Sequence, residues 1–382
     1  MSLIDYCQTD TQREIIRAVE REGSNNKAAR ALGQGRRSVD ECVRRVKGYA
    51  ARRNDSPEHG LNHPTPDGFV LKGYSDMRTN DEGKPIWHKV SADLERQREM
   101  MREAVQAMAE EAPKARSVKA PKVTDANLLN CYIITDYHFG MLAWGEETGD
   151  DWDIEIAEQL FVDWFGHAIK SAPKAGRAVL GNIGDLAHYD GLDSVTPTSG
   201  HVLDADTRFQ RVVRTIIRVF RRVVEMLLKK YPEVHLIMAE GNHDIASSVW
   251  LRELFSAHYA DEPRVTVELS PDPYYCVEHG KVSLFFHHGH KRKVSDIHQV
   301  FAGKFREVFG RTEYSYGHMG HLHHVDVKET PLMIVEQHPT LAGKDSHASR
   351  GGYLSQRSAP VITYHKEYGE VGRHVIRPEM VK

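Results

Sequence analysis

From Leu128 onward the chain alternates short apolar stretches of strand length with longer segments of helical periodicity. Strands are expected at 129–135, 178–183 and 234–239, with helices at 155–170 and 205–230 between them. Such alternation predicts an α/β domain in which helices cover a sheet. Its chemistry should sit in the loops that leave the carboxyl ends of the strands.

Five short polar blocks meet that expectation. Asp136-Tyr137-His138 follows the first strand, Gly184-Asp185 the second and Gly241-Asn242-His243-Asp244 the third. His287-His288-Gly289-His290 ends an apolar strand at 282–286, and Gly320-His321-Leu322-His323 follows a turn rich in tyrosine and glycine. Each block places carboxylate, amide or imidazole donors at a strand end, a donor set suited to Mn²⁺, Fe or Zn²⁺ rather than Ca²⁺. A single D-x-H would mean little, since such tripeptides serve as caps and turns.

Taken in this order, the five blocks resemble the calcineurin-like metallophosphoesterase superfamily, whose pattern is D-x-H, G-D, G-N-H-D/E, a histidine before glycine, and G-H-x-H. The resemblance covers roughly 127–325, with C-terminal strands to about 375 completing the domain. It implies a β-sandwich flanked by helices and two divalent metal ions, Mn²⁺ first and Fe or Zn²⁺ next. Asp136, His138, Asp185 and His323 would hold one ion, and Asp185, Asn242, His288 and His321 the other, with Asp185 bridging. His288 is preferred to His287 because it directly precedes Gly289 and shares a strand face with Leu284 and Phe286.

The resemblance further implies hydrolysis of a phosphoester by water activated between the cations. His243 matches the catalytic histidine that stabilises the transition state or protonates the leaving oxygen, with Asp244 expected to orient it. His188 would approach substrate phosphate or hydrogen-bond a ligand. Arg208, Arg211, Arg214, Arg218, Arg221 and Arg222 form a stripe on the long helix, read either as a solvated face or as a track for a nucleic-acid backbone.

A different kind of segment precedes this domain. Residues 10–52 read as three short helices: an apolar face of Ile15, Ile16 and Val19 after a cap at Thr9 or Asp10, an alanine-rich second helix, and a third from Ser38 carrying Val39, Val43, Val46 and Ala50. Gly33-Gln34-Gly35 forms the turn before the third, and the order is that of a helix-turn-helix. Residues 1–53 hold twelve Lys/Arg against seven Asp/Glu, about five positive charges, in a chain whose net charge is −3. Arg36, Arg37, Arg44, Arg45 and Lys47 are the candidate DNA contacts. A helical adaptor or dimerisation module is the competing reading.

The predicted organisation is therefore a helix-turn-helix-like domain at 1–53, linkers with a small hairpin and a helix at 54–123, and the metallophosphoesterase domain at 124–382. The hairpin is placed on Phe69-Val70-Leu71 and Ile86-Trp87-His88, the helix at 92–111. A C-terminal strand pair, 361–364 and 374–376, is expected around the turn Gly369-Glu370-Val371-Gly372, adding edge strands, and 346–352 is expected to approach the metals. Of 23 histidines, twenty lie beyond residue 126, in the part of the chain that carries the blocks.

Four scattered cysteines without a C-x-x-C pair, no signal-peptide pattern at the first residues, and no apolar run near the roughly 18 residues of a membrane span predict a cytoplasmic protein. A chain joining a basic helical head to this domain also resembles phage or prophage phosphoesterases, which would place it in a host cytoplasm. The expected function is a dinuclear-metal-dependent phosphodiesterase acting on nucleic acid, DNA before RNA. The alternatives are a nucleotide or cyclic-nucleotide phosphodiesterase, a phosphomonoesterase, or a DNA-binding regulator with weak or lost activity. Superfamily members often dimerise, so a homodimer stays open.

Overall fold

The structure, a computed structural model, describes residues 2–51, 115, 118–122, 124–197, 200–352 and 354–381, with the backbone of 55–56, 61–62, 73–79 and 85–91. It divides into two compact units, Met1–Arg96 and Gln97–Lys382.

The first unit opens with α1 (Asp10–Glu22), α2 (Asn25–Ala31) and α3 (Arg36–Ala51). The Thr9 side chain accepts from the Gln12 amide while Gln12 accepts from the Thr9 amide, so Thr9 rather than Asp10 starts α1. Gly23, at φ 69°, stops it, and Ser24 caps α2. α3 starts two residues before the expected Ser38, because the amides of Ser38 and Val39 already donate to the carbonyl of Gly35. Ile15, Ile16, Ala28, Ala29, Val39, Val43, Val46 and Ala50 close into one small core, as their spacing predicts.

Two strand pairs follow: β1 (Asp55–Ser56) with β2 (Leu61–Asn62), and β3 (Gly73–Thr79) with β4 (Pro85–Ser91), both antiparallel. The hairpin thus contains Ile86-Trp87-His88, but its first strand is Gly73–Thr79. Phe69-Val70-Leu71 and the helix expected at 92–111 lie outside the described residues.

The second unit runs, in chain order, β5 (Leu128–Ile134), α4 (Gly145–Thr148), α5 (Ile154–Ser171), β6 (Arg177–Asn182), α6 (Phe209–Lys230), β7 (Glu233–Met238), α7 (Ile245–His258), β8 (Val265–Val267), β9 (Tyr275–His279), β10 (Val282–Phe286), α8 (Ile297–Lys304), α9 (Arg306–Arg311), β11 (Tyr314–Met319), β12 (Asp326–Glu329), β13 (Ile334–Gln337), α10 (Ser346–Arg350), β14 (Ala359–His365) and β15 (Gly369–Ile376). One sheet has the order β15-β14-β5-β6-β7-β8, the other β12-β13-β11-β10-β9. In the first, β5 to β8 are parallel; in the second, β10, β11 and β13 are parallel.

Three apolar layers hold these sheets. Between them pack Leu129, Ile133, Val179 and Ile237 of one against Val277, Leu284 and Phe286 of the other. Over the outer face of the six-stranded sheet lie α5, α6 and α7, with Phe161, Phe165, Phe220 and Phe255 in contact. Phe285 meets Phe301 and Phe305 on the outer face of the other sheet. The result is an α/β fold with a two-sheet sandwich flanked by helices. Among the described residues no helix is long and apolar enough to cross a membrane, and no disulfide links Cys7, Cys42, Cys131 and Cys276.

Two elements depart from expectation. α6 begins at Phe209 instead of 205, because Asp206 is drawn into the neighbouring loops: its amide donates to the carbonyl of Gly140 and its carboxylate accepts from the amide of Ile154. At the C-terminus Gly369–Gly372 belongs to β15, with the reversal at Lys366–Tyr368, and β14 is an inner strand paired to β5. Its buried residues, rather than an edge position, explain the apolar run.

Candidate metal centre

The ladder of parallel strands continues past the strand ends and zips the loops together. The amides of Asp136 and His138 donate to the carbonyls of Gly184 and Asp185, that of Gly320 to His288, and that of His338 to Met319. The loops after β5, β6, β7, β10 and β11 are thus brought to one place, where all five polar blocks converge.

Their backbone is strained in a telling way. Among the described residues only five non-glycine residues have positive φ, namely Asp136, His138, Asp185, His321 and His323, and every one is a predicted ligand. Such conformations cost roughly 1–3 kcal/mol each and cluster where a site requires them. The glycines of the blocks serve the same convergence. A Cβ on Gly241 would collide with the Asp185 carboxylate, and one on Gly320 with Thr135 and the Asp136 carboxylate.

Donor atoms of Asp136, His138 and His323 lie within 4.8 Å of one another, and so do those of Asp185, His288 and His321. The two groups are joined at His288, whose Nε2 is 3.0 Å from Asp185 Oδ2, 3.9 Å from Asp136 Oδ1 and 3.2 Å from Asn242 Oδ1. Its Nδ1 donates to the carbonyl of Ile183 at 2.9 Å, which fixes the ring and leaves Nε2 as a ligand atom. His287 points elsewhere: its Nδ1 accepts from the Gly289 amide and its ring stacks on Tyr274.

Each carboxylate has one oxygen anchored and the other turned toward imidazole. Asp136 Oδ2 accepts from the Thr135 hydroxyl and the His321 amide, while Oδ1 faces His323 Nε2 at 3.1 Å. Asp185 Oδ1 accepts from the His243 amide and Oδ2 faces His288. Both side chains are buried, and among the described residues neither pairs with a lysine or arginine. Buried carboxylates without a cation are costly, and a metal ion is the usual remedy.

Electrostatics agree. Burial alone would raise both carboxyls, yet His323 and His288 beside Asp136, and His288 and His243 beside Asp185, hold them below the ordinary carboxylate range. Burial presses His288 toward neutrality, but Asp185 and Asp136 carry it up to about 9. A proton on His288 therefore stands where two carboxylates require positive charge. Burial and the neighbouring imidazoles lower His138, keeping its lone pair available. The donor set fits divalent cations held between carboxylates and neutral imidazoles.

His243 is half-buried, its Nδ1 donating to the carbonyl of His188 at 2.7 Å. The role expected of Asp244 is thereby corrected. Its carboxylate accepts from the backbone amides of Asp185, Leu186, Ala187 and Gly241, tying the β6 and β7 loops together, and His188 rather than Asp244 orients the His243 ring. His188 is buried, with Nδ1 3.3 Å from His138 Nδ1 and its ring stacked on His243. Burial and His243 bring it down to about 3, so it is neutral. Thr135 and Thr340, whose hydroxyl donates to the Asp136 carbonyl, are further supports; position beside Asp136 is a sequence signal for Thr135 alone.

Other candidates fall outside this cluster. Arg211 and Arg218 of the helical stripe pair with Glu155 and Glu158 of α5. The 346–352 segment is bound by Ser346 to Asp204 and by Arg350 to Glu147. On α3, Arg36 and Arg37 pair with Asp40 and Glu41, while Arg44, Arg45 and Lys47 are exposed.

No protein-family model matches the chain, and no curated protein does. Solved structures do. The chain is similar to an archaeal phosphodiesterase (13% identity, 65% of this chain and 99% of that one, TM-score 0.34). It is also similar to a conserved protein from Streptococcus pneumoniae described as a predicted phosphoesterase (10%, 65% and 97%, TM-score 0.27). A third is wild-type Vps29 from Entamoeba histolytica in complex with zinc (10%, 65% and 99%, TM-score 0.27). These likenesses are distant, with TM-scores below 0.5.

Proposed function

We propose that the chain is a dinuclear-metal-dependent phosphodiesterase of the calcineurin-like type, acting on DNA with Mn²⁺. One observation carries the reading: among the described residues, the non-glycine residues at positive φ all belong to two adjoining Asp/His groups whose buried carboxylates have no lysine or arginine partner. Asp136, His138, Asp185 and His323 would hold one cation, and Asp185, Asn242, His288 and His321 the other. Bound there, divalent cations supply Lewis acidity to phosphoryl oxygens and acidify water.

The chain's own groups do the rest. His243, fixed through its Nδ1–H by the His188 carbonyl, presents Nε2 to the leaving oxygen; as the imidazolium it gives the Nε2 proton to that oxygen and keeps the Nδ1 proton on the carbonyl. His188 braces both His138 and His243 and holds their rings in place. Asp244 holds the Asp185 loop through three of its backbone amides and ties it to the β7 loop through the amide of Gly241. DNA is favoured by the basic three-helix head, where Arg44, Arg45 and Lys47 are exposed on α3.

The test is hydrolysis of labelled single- and double-stranded DNA and RNA by the purified chain with Mn²⁺, beside Asp185→Asn. The expected result is cleavage of DNA that Asp185→Asn abolishes. Intact nucleic acid with cleavage of cyclic nucleotides or bis-p-nitrophenyl phosphate would overturn the DNA assignment, and preference for p-nitrophenyl phosphate would make the enzyme a monoesterase.

A further inference from the structure

The loop leaving the ligand strand β10 is rooted in the metal cluster. Gly289, at φ 117°, turns the chain so that an added Cβ would press on the Gly320 carbonyl and on His321. His290 follows, its ring 5.4 Å from that of His288 and 6.4 Å from that of His321. Both its ring nitrogens are buried without a hydrogen-bond partner among the described residues. Next come Lys291, Arg292 and Lys293, all exposed, on a turn closed by the Arg292 amide donating to the Gly289 carbonyl at 3.2 Å.

Several cations of the same unit are neutralised by carboxylates. Arg211, Arg218, Lys281, Lys304, Arg311 and Arg373 each lie against a carboxylate. Lys291, Arg292 and Lys293 form no ion pair among the described residues, although Asp296 is three residues away. Three unpaired cations beside the metal ligands make a local excess of positive charge in a chain whose net charge is −3. A small diester offers one phosphate, which the metal cluster itself would take. The triplet has a use only if further phosphates extend from that one.

We infer that Lys291, Arg292 and Lys293 grip the phosphates next to the scissile one, so that the catalytic unit itself selects a polynucleotide over small phosphodiesters. This inference rests on the phosphodiesterase reading, and it places polymer recognition in the catalytic unit as well as in the basic head.

The test compares the full chain with the triple variant K291Q/R292Q/K293Q, each also in an R44Q/R45Q background to remove the charge of the head. Anisotropy of a labelled single-stranded oligonucleotide in EDTA, across a salt series, gives the slope of log K against log salt. The triplet should contribute a slope of about 2, from roughly 0.7 per phosphate contact, and its loss should weaken low-salt binding about tenfold or more. With Mn²⁺, the ratio of kcat/KM on the oligonucleotide to kcat/KM on bis-p-nitrophenyl phosphate should fall at least about tenfold, with Tm unchanged. An unaltered slope, or an equal loss on both substrates, would overturn the inference. If the wild-type chain cleaves neither substrate, the phosphodiesterase reading fails, and the metal-free slope still decides whether the triplet binds the polymer.

Discussion

Two buried clusters of histidine and carboxylate lie on this fold, and they handle charge in opposite ways. In the first, Asp136 and Asp185 bracket His288 with no lysine or arginine partner among the described residues, on backbone at positive φ. In the second, Glu336 takes both arms of Arg373 at 2.5 and 2.7 Å, His338 Nε2 meets His318 Nδ1 at 3.0 Å, and His318 Nε2 meets the Tyr364 hydroxyl at 3.0 Å. His318 and Glu336 sit on the regular strands β11 and β13. Donor atoms of His318, Glu336 and His338 also lie within 4.8 Å of one another, so proximity alone does not separate the clusters. Neutralisation does: the second has its own arginine, whereas among the described residues the first has only imidazoles against its carboxylates, on strained backbone.

The sharpest way to break this contrast is to remove one carboxylate from each cluster. Asp185→Asn should abolish metal-dependent turnover, a loss of several kcal/mol or on the order of 10⁴-fold in kcat. Glu336→Gln should leave metal content and kcat near wild type. A comparable loss of metal from Glu336→Gln would erase the distinction. His243→Ala should lower kcat about 10²- to 10³-fold with metal content intact, measured by elemental analysis beside steady-state kinetics.

Arg373→Ala should act on stability alone. It leaves a buried carboxylate unpaired, and since Arg373 is partly exposed the cost should be about 2 kcal/mol, read by denaturant melting, with no change in metal content. The smallest effect concerns pH. Burial, joined by the Arg373 charge, pushes His338 down to about 3, and burial lowers His318 as well. Between that value and the ordinary histidine pKa near 6.5 the unfolded chain binds more protons, so stability is full above about pH 6.5 and declines as pH falls. The Tm should drop from pH 7 to pH 5, and His338→Gln should flatten that dependence; an unchanged slope would contradict a neutral His338.

The centre was more legible from sequence than its supports. Side chains that end parallel strands converge whatever the loops between them do, so the family resemblance could be carried onto Asp136, Asp185, Asn242 and His321 by position, and the place before Gly289 together with strand alternation favoured His288 over His287. The role of Asp244 could not be foreseen, because its partners are backbone amides of residues 185–187 and 241, which no side-chain pattern marks. The cluster of His318, Glu336 and His338 was likewise hidden, since strand pairing between β11 and β13 creates it. Arg211 and Arg218 of the arginine stripe found carboxylates on α5, some 56 to 60 residues away in sequence. Element ends slipped where loop contacts, such as those of Asp206, overrode local propensity.

Manganese titration followed by electron paramagnetic resonance tests the dinuclear centre most directly. Two Mn²⁺ per chain with an exchange-coupled spectrum are expected, replaced in Asp185→Asn by uncoupled or lost ions. One isolated Mn²⁺ per wild-type chain, or coupling that survives Asp185→Asn, would contradict it.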